Sequence, residues 1–213
     1  FTRSGEFVSL WGASGTGPGQ FDCPIDVARS GSTLFVLDQG NRRVQQFDLD
    51  GTFMASWSTR TTAPGVPTAI DTDPDGNVYV VDSQEGFYGP PCYDYDGTQF
   101  CTWLYPSDNN RVRVFDADGV PLSSWGGATA DVGSIYLPRG LFVTSDGYVE
   151  VANRGRGLHA GGTRLPLPGV DVWDVAEDDQ HDIYVADRAN SLVRKYSPGG
   201  SPLAQWPVSR PSR

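Results

Sequence analysis

The feature that most constrains this chain is an internal repeat with a fixed register. An aromatic residue, a glycine four positions later and a tryptophan ten positions after the aromatic residue occur together four times. In the second copy the glycine ends the sequence Asp-Leu-Asp-Gly, which favours a tight β-hairpin turn. Recurrence of this kind predicts an array of similar supersecondary units. The four copies are Phe1, Gly5 and Trp11; Phe47, Gly51 and Trp57; Phe115, Gly119 and Trp125; and Tyr196, Gly200 and Trp206.

Two further strands are predicted upstream of each hairpin. A short apolar segment ends in Asp at residues 34–38 and again at residues 183–187, and a Val follows six positions later in both places. Another apolar segment precedes it and begins near a proline, as at Pro24, Pro67 and Pro138. Proline is tolerated where a strand begins, because the sheet does not yet need its missing N–H. Each unit is therefore predicted to contain four strands.

The spacing of the tryptophans separates the repeats from an insertion. Intervals of 46, 68 and 81 residues separate Trp11, Trp57, Trp125 and Trp206. The last interval fits two repeats of roughly 40 residues, the first of which has lost the aromatic residue and the tryptophan from its hairpin around residues 161–162. The middle interval fits one repeat with extra residues at about positions 83–108.

A four-stranded unit of this length is typical of a β-propeller blade. The predicted fold is all-β: a β-propeller of four-stranded antiparallel blades, with about four full blades and an extra N-terminal hairpin. It is expected to occupy residues 1–206 as a single domain, with the insertion at about residues 83–108 in the second blade. Residues 207–213 are predicted to be a flexible tail.

Several segments also resemble one known family, the NHL repeat. The resemblance lies in residues 21–28, 34–48 and 109–116, and in the linker that contains Trp11, Gly12 and residues 15–21. It implies a propeller fold. One enzyme class with NHL-type propellers, the peptidyl-amidoglycolate lyases, uses a zinc site built from several histidines. This chain has only His159 and His181, which are too few for three histidine ligands, so the resemblance favours a non-enzymatic protein.

The overall charge and hydropathy exclude two classes of partner. The net charge is −10 and the pI is about 4.5, and no cluster of Lys or Arg interleaved with aromatic residues offsets this charge. The chain is therefore predicted not to bind nucleic acid. Its apolar runs are far shorter than the ~20 residues that span a bilayer, which predicts no membrane insertion.

The three cysteines bear on the compartment. Cys92 and Cys101 both lie in the insertion, where a local cross-link would order a long loop, and this predicts a disulfide and a secreted, extracellular protein. The alternative is three buried free thiols in a cytosolic protein. Cys23, at the start of a predicted strand, is expected to pack in the core.

One acidic segment resembles a calcium-binding loop. Asp71, Asp73 and Asp75, with Asp82 at the twelfth position, present alternate carboxylates of the kind that wrap a calcium ion. An EF-hand needs flanking helices, however, and strands flank this segment. We therefore interpret it as a turn between two strands, and predict no cofactor, with calcium as the alternative. Lactonase-type propellers hold calcium with acidic and Asn side chains, and Asn153 replaces the repeat's Asp in the third copy.

Two surfaces are candidates for protein contacts. Aromatic residues in the insertion form either a recognition surface or a small core of their own; they include Tyr88, Tyr93, Tyr95, Phe100, Trp103 and Tyr105. The second candidate is an assembly edge at the first and last hairpins, comprising Phe1, Phe7, Trp11, Tyr196 and Trp206.

Both end hairpins supply the same part of a blade. Either four blades close without residues 1–11, the chain is part of a larger ring, or subunits join head to tail, which would build a filament. The predicted function is a non-enzymatic, extracellular scaffold for binding a protein partner or copies of itself. The alternative is a metal-dependent propeller enzyme of the lyase or lactonase type.

Overall fold

The computed structural model is built from strands and turns. It describes residue 2 and residues 4–60, 65–83, 93–95, 98–100, 110–126, 135, 137–153, 157–160, 163–165, 167 and 169–208, with the backbone alone at 93–95, 98–100, 157–160 and 163–165. No helix in this part of the chain is long and apolar enough to cross a membrane.

Four antiparallel sheets of four strands follow one another along the chain. A short parallel pair, β1 (Ala13–Ser14) and β2 (Gln20–Phe21), precedes them. Blade 1 comprises β3 (Pro24–Ser30), β4 (Thr33–Asp38), β5 (Arg43–Asp48) and β6 (Phe53–Ser58). Blade 2 begins with β7 (Val66–Thr72) and β8 (Val78–Ser83), continues through the inserted pair β9 (Tyr93–Tyr95) and β10 (Thr98–Phe100), and ends with β11 (Arg111–Phe115) and β12 (Pro121–Gly126).

The last two blades have the same strand order. Blade 3 comprises β13 (Pro138–Val143), β14 (Val149–Asn153), β15 (Gly157–Ala160) and β16 (Thr163–Leu165), so the degenerate third repeat still forms its hairpin. Blade 4 comprises β17 (Val172–Glu177), β18 (Ile183–Asp187), β19 (Leu192–Tyr196) and β20 (Pro202–Pro207). The predicted all-β architecture of four-stranded antiparallel blades is confirmed.

A single turn chemistry connects the hairpin strands. In blade 1 the backbone N–H of Asp48 donates to the carbonyl of Thr52, and the N–H of Thr52 donates to Asp48 Oδ1 at 2.8 Å. The carboxylate thus satisfies a backbone donor that the turn would otherwise leave unpaired. The same pair of bonds occurs at six other turns, which begin at Thr2, Asp73, Asp116, Thr144, Asp178 and Ser197.

The first of these turns belongs to the predicted N-terminal hairpin. Thr2 accepts the N–H of Gly5, and its own N–H donates to the carbonyl of Glu6. Residues 4–12 form no strand, however, and Phe7 and Leu10 are exposed. The turn of this hairpin is therefore present. The strand expected between Phe7 and Trp11 does not form in the described structure, because a strand needs a neighbouring strand to pair with.

Tryptophan–glycine contacts join consecutive blades. Trp57 of β6 packs against Phe35 of its own blade and reaches Phe115 of blade 2, with ring centroids 6.0 and 6.2 Å apart. A Cβ atom at Gly119, in the blade 2 hairpin, would lie 2.4 Å from the Trp57 ring. Trp11 meets Gly51 of blade 1 in the same way, at 2.5 Å from the Cβ position. The repeat frame therefore encodes the contact between one blade and the next.

The linker before blade 1 is held by polar residues of the NHL-like segment. Arg43 donates to the carbonyls of Thr16, Gly17 and Gln20, and to the buried carboxylate of Asp38. Gln45, which is fully buried, donates to the carbonyl of Gln20 at 2.7 Å. Asp38 also accepts a hydrogen bond from Asn41. These side chains fasten residues 15–20 onto the blade, which explains why these polar residue types recur in the repeat.

Candidate functional site

The most exposed part of the repeat's packing surface is one face of blade 4, which we call the open face. It consists of alternate residues along the four strands: Asp174, Ala176, Tyr184, Ala186, Val193, Lys195, Ala204 and Trp206. The corresponding residues of blade 1 include Phe35, Leu37 and Val44, which are at most 1% exposed because blade 2 covers them. The inner strands β3, β7, β13 and β17 contact one another in that order, and β17 makes no comparable contact with β3 in the described structure. The open face therefore lacks the cover that its equivalent has in blade 1.

In the described structure Trp206 makes a ring contact within its own blade but none with a following blade, unlike its equivalent Trp57. Its ring stacks on Tyr184 of the same blade at 6.1 Å, as Trp57 packs on Phe35. Trp57 also reaches the next blade, whereas Trp206 remains 45% exposed. Next to it Leu203 and Val208 are exposed as well. The open face thus exposes an apolar ring whose equivalent in blade 1, Trp57, packs against Phe115 and Gly119 of blade 2.

Of the predicted assembly edge, two residues lie on or beside blade 4 and two lie before blade 1. Tyr196 is buried in the blade 4 core, and Trp206 is on the open face. Trp11 contacts Phe47 at a centroid distance of 4.6 Å, and Phe7 is 64% exposed. Phe1 lies outside the described residues. The structure therefore does not bring these five residues into one patch.

Three carboxylates, those of Asp26, Asp71 and Asp174, lie near one another on the inner strands of three blades. Asp26 accepts the backbone N–H of Ile70 in blade 2 at 2.9 Å, and Asp71 accepts that of Val143 in blade 3 at 2.7 Å. Asp174 lies beside blade 3, where a Cβ atom at Gly140 would lie 2.4 Å from its Oδ1. Burial raises the pKa of Asp26 and of Asp71, and the negative charge of Asp174 adds to both shifts. Asp26 and Asp71 therefore act as bridges between successive inner strands.

The predicted calcium-ligand candidates do not converge. Asp73 begins a turn and accepts hydrogen bonds from Asn77 and from the Tyr79 hydroxyl, Asp71 reaches towards blade 3, and Asp75 is exposed. Asp82 lies at the opposite end of β8, where Arg113 donates to both of its carboxylate oxygens. An extended strand carries Asp82 away from the turn, which a helical loop would not do. Within the described ranges no group of three His, Cys, Asp or Glu residues has the geometry to hold a metal ion.

Two glutamates, Glu150 of blade 3 and Glu177 of blade 4, lie close together where these blades meet. Glu150 of β14 is 4% exposed, and its Oε2 has no hydrogen-bond partner among the described residues. Burial raises its pKa to about 7, and the charge of Glu177 in β17 contributes. Glu177 in turn contacts His181, whose pKa is raised by this carboxylate. The sequence pattern gave His181 no role and did not predict the proximity of Glu150 and Glu177.

Comparison of the repeats marks His181 as an unusual residue for its position. His181 occupies the place in its turn that glycine holds in the other six, and its φ is +62°, in the left-handed region that favours glycine. Glu150 likewise stands where the other blades have Phe35, Tyr79 and Tyr184. Aligning the blades residue by residue would therefore have found both departures from the repeat.

The predictions made for the insertion and the cysteines lie mostly outside the described residues. Cys92, Cys101, Tyr88, Trp103 and Tyr105 are not described, and for Tyr93, Tyr95 and Phe100 only the backbone is, with Phe100 opposite Tyr93 in the β9–β10 pair. Cys23 is a free and exposed cysteine, so its predicted place in the core is wrong. It lies just before the first residue of β3, outside the sheet face that the next blade covers.

Comparison with known proteins supports the repeat and the fold. The chain is 38% identical over 82 residues to NHL repeat-containing protein 3 of Homo sapiens, and likewise to that of Mus musculus. These matches cover 37% of this chain and 23% of the length of the relatives. No family model matches the chain.

Several solved structures share the fold at low sequence identity. A chain from a Nidogen/Laminin complex aligns with a TM-score of 0.60 at 19% identity, covering 88% of this chain and 64% of the other. A virginiamycin B lyase from Staphylococcus aureus aligns at 0.57 and 10% identity, with coverage of 88% and 56%. A gluconolactonase from Xanthomonas campestris aligns at 0.57 and 18% identity, with coverage of 83% and 58%.

The fold and the comparisons together define the class of protein: an all-β architecture of four-stranded propeller-type blades, part of which is similar to NHL-repeat proteins. The resemblance to the NHL repeat is confirmed over 82 residues of this chain. The structural neighbours include enzymes, so the fold by itself does not assign an activity.

Proposed function

We propose that this chain is a non-enzymatic scaffold that binds protein partners, including copies of itself, through the open face of blade 4. The observation that carries the proposal is the 45% exposure of Trp206 at a position whose equivalents pack against a following blade. A sheet face lined by Tyr184, Val193 and Trp206 gains free energy when apolar surface leaves water. The cover that fits it is another blade of the same repeat type.

The first blade of a second copy offers the matching surface. Gly51 and Phe47 of blade 1 already receive a tryptophan, Trp11, from the preceding segment. Trp11 and Trp206 hold the same position in the repeat frame, so Trp206 of one copy would replace Trp11 in this pocket of the next. Such a contact joins two different surfaces, and repetition of it builds an open chain of subunits.

The insertion supplies a second surface in this proposal. Its aromatic side chains are of the types that dominate protein interfaces. We further propose that Cys92 and Cys101 form a disulfide within it and that the protein acts outside the cell. The presence of both cysteines within one inserted segment of the sequence supports both statements.

The association state of the purified protein tests the proposal. We expect the average mass in light scattering to rise above the 23.0 kDa of the chain as protein concentration increases. Trp206→Lys, which places a charge on the open face, should hold the protein at the monomer mass, and Trp11→Ala, which empties the pocket, should strengthen association. Leu122→Lys is the matched control, since Leu122 is a 55% exposed apolar residue of the outer strand β12 and belongs to blade 2, which takes no part in the proposed contact.

Different results would contradict self-assembly and the assignment of the open face as the contact. A wild-type protein that stays monomeric at every concentration excludes self-assembly, and equal behaviour of the Trp206 and Leu122 variants excludes the open face as the contact. The rival function is a metal-dependent enzyme of the lyase or lactonase type. Stoichiometric zinc or calcium in the purified protein would favour that rival.

A further inference from the structure

A β-bulge residue occurs at the same place in the inner strand of each of the four blades. In each inner strand the pairing register shifts by one residue near the first position, which leaves one extra residue unpaired. Bulges of this kind redirect a side chain and are frequent next to functional sites. The four residues at the bulge are Ile25, Thr68, Arg139 and Trp173. Because they occupy the same place in inner strands that contact one another in order, they lie at the same end of this series of strands.

Two guanidinium groups converge on the indole of Trp173. The Cζ atom of Arg139, from blade 3, lies 3.9 Å from the ring centroid, and that of Arg188, which directly follows β18, lies 4.3 Å from it. Trp173 remains 37% exposed, and Arg188 is exposed. Each contact is a cation–π interaction, and together they concentrate two positive charges at one point of a protein whose net charge is −10.

Arg188 differs from the arginines that support the blades. Arg43, Arg113 and Arg194 each form an ion pair with the Asp at the end of the second strand of their blade. Arg188 has no carboxylate within 4.0 Å and no side-chain hydrogen bond in the described part of the chain. The neighbouring carboxylate of Asp187 already accepts hydrogen bonds from Arg194 and Asn190.

The stacked geometry leaves the donors of Arg188 available to a ligand. A guanidinium that stacks on an aromatic ring uses its π face, whereas its N–H groups lie in its plane and point away from the ring. These donors match the two oxygens of a carboxylate, and the exposed edge of the indole offers an apolar surface beside them. From this arrangement we propose that the cluster formed by Trp173, Arg139 and Arg188 binds a small carboxylate ligand that carries an apolar or planar group.

The site is independent of the open face and makes a separate prediction. Trp173 is the bulge residue of the inner strand β17 and Arg188 follows β18, so neither is an open-face residue, whereas Trp206 lies on the outermost strand β20. Loss of ligand binding would therefore leave the association state unchanged, and loss of association would leave ligand binding unchanged.

Titration with benzoate, followed by the indole N–H signals in ¹⁵N NMR spectra, tests the proposal. We expect one indole signal, that of Trp173, to shift saturably with benzoate and not with benzamide, which has the same ring without the charge. Arg188→Gln should weaken benzoate binding about tenfold, the effect of one charge-assisted hydrogen bond. The matched control is Arg29→Gln, which removes an exposed arginine from β3 of blade 1.

Two further measurements keep the test decisive. Trp173→Leu identifies the shifted signal by removing it, and raising the salt concentration should weaken binding because the contact is electrostatic and exposed. A linear, unsaturable response to benzoate, an equal response to benzamide, or equal affinity in the Arg188 variant and the wild type would each overturn the proposal.

Discussion

At the scale of single residues, Glu150 is the side chain that fits the repeat least well. The other three blades place an aromatic residue at its position, namely Phe35, Tyr79 and Tyr184. Glu150 is buried there beside Glu177 of the next blade. A buried carboxylate next to a second carboxylate is costly to ionise, which is why the pKa of Glu150 rises to about 7.

The raised pKa gives the stability of the protein a defined pH dependence. Between the ordinary value of 4.5 and about 7, the folded state binds more protons at Glu150 than the unfolded state does. The free energy of unfolding should therefore fall as pH rises through this window and level off above it, by at most about 3 kcal/mol. Glu150→Gln stays neutral and should lack this component.

Urea denaturation of the wild type and the Glu150→Gln variant at several pH values measures the effect. The difference between their unfolding free energies should change between pH 5 and pH 8 in favour of the variant. Glu6→Gln, at an exposed position, is the control and should show no such change. A difference that is constant with pH would mean that Glu150 ionises in the folded state as it does in the unfolded chain.

At the scale of structural elements, the turn between paired strands recurs in every blade. Two glycines of these turns allow the cost of backbone strain to be separated from the cost of a steric clash. Gly119 and Gly147 have φ values of +83° and +80°. A Cβ atom at Gly119 would lie 2.4 Å from the Trp57 ring, whereas at Gly147 it would meet no atom within 4 Å. Both positions require the left-handed backbone, but only Gly119 also requires the absence of a side chain.

Alanine substitutions should therefore differ in cost. Gly147→Ala should lower the free energy of unfolding by about 1–2 kcal/mol through backbone strain alone. Gly119→Ala should lose roughly 1–3 kcal/mol more, because the methyl group displaces Trp57. Thermal or urea denaturation of the two variants gives the comparison. Equal losses would show that the tryptophan–glycine contact adds nothing to the join between blades.

The same elements explain how far the sequence alone could predict the structure. The frame of Phe47, Gly51 and Trp57 predicts both the hairpin and its spacing, because turn chemistry and local periodicity are encoded within a few residues. The contact of Arg139 in blade 3 with Trp173 in blade 4, and the burial that raises the pKa of Glu150, depend on which blade faces which. Such long-range contacts leave no local pattern, and they appear only once the blades are superposed.

At the scale of the whole molecule, the blades form a one-dimensional series in which each contacts its neighbours in the chain. The buried clusters lie between successive blades, one of them formed by Phe35 and Val44 of blade 1 with Ile70 and Phe115 of blade 2. In such an array, stability is the sum of the blades and of the interfaces between them. Residues at the same position in two blades therefore contribute differently to stability when a neighbouring blade covers one of them and not the other.

Trp57 and Trp206 provide the comparison, since each stands at the same position of an outer strand. Trp57→Ala removes a ring packed between two blades and should lower the free energy of unfolding by about 3–5 kcal/mol. Trp206→Ala removes a ring that is 45% exposed and touches only its own blade, so it should cost less than half as much when measured on dilute, monomeric protein. If the open face of blade 4 is covered in the associated form, the cost of Trp206→Ala should grow with protein concentration while that of Trp57→Ala stays constant. A concentration-independent cost for both would place Trp206 in a surface that no second copy covers.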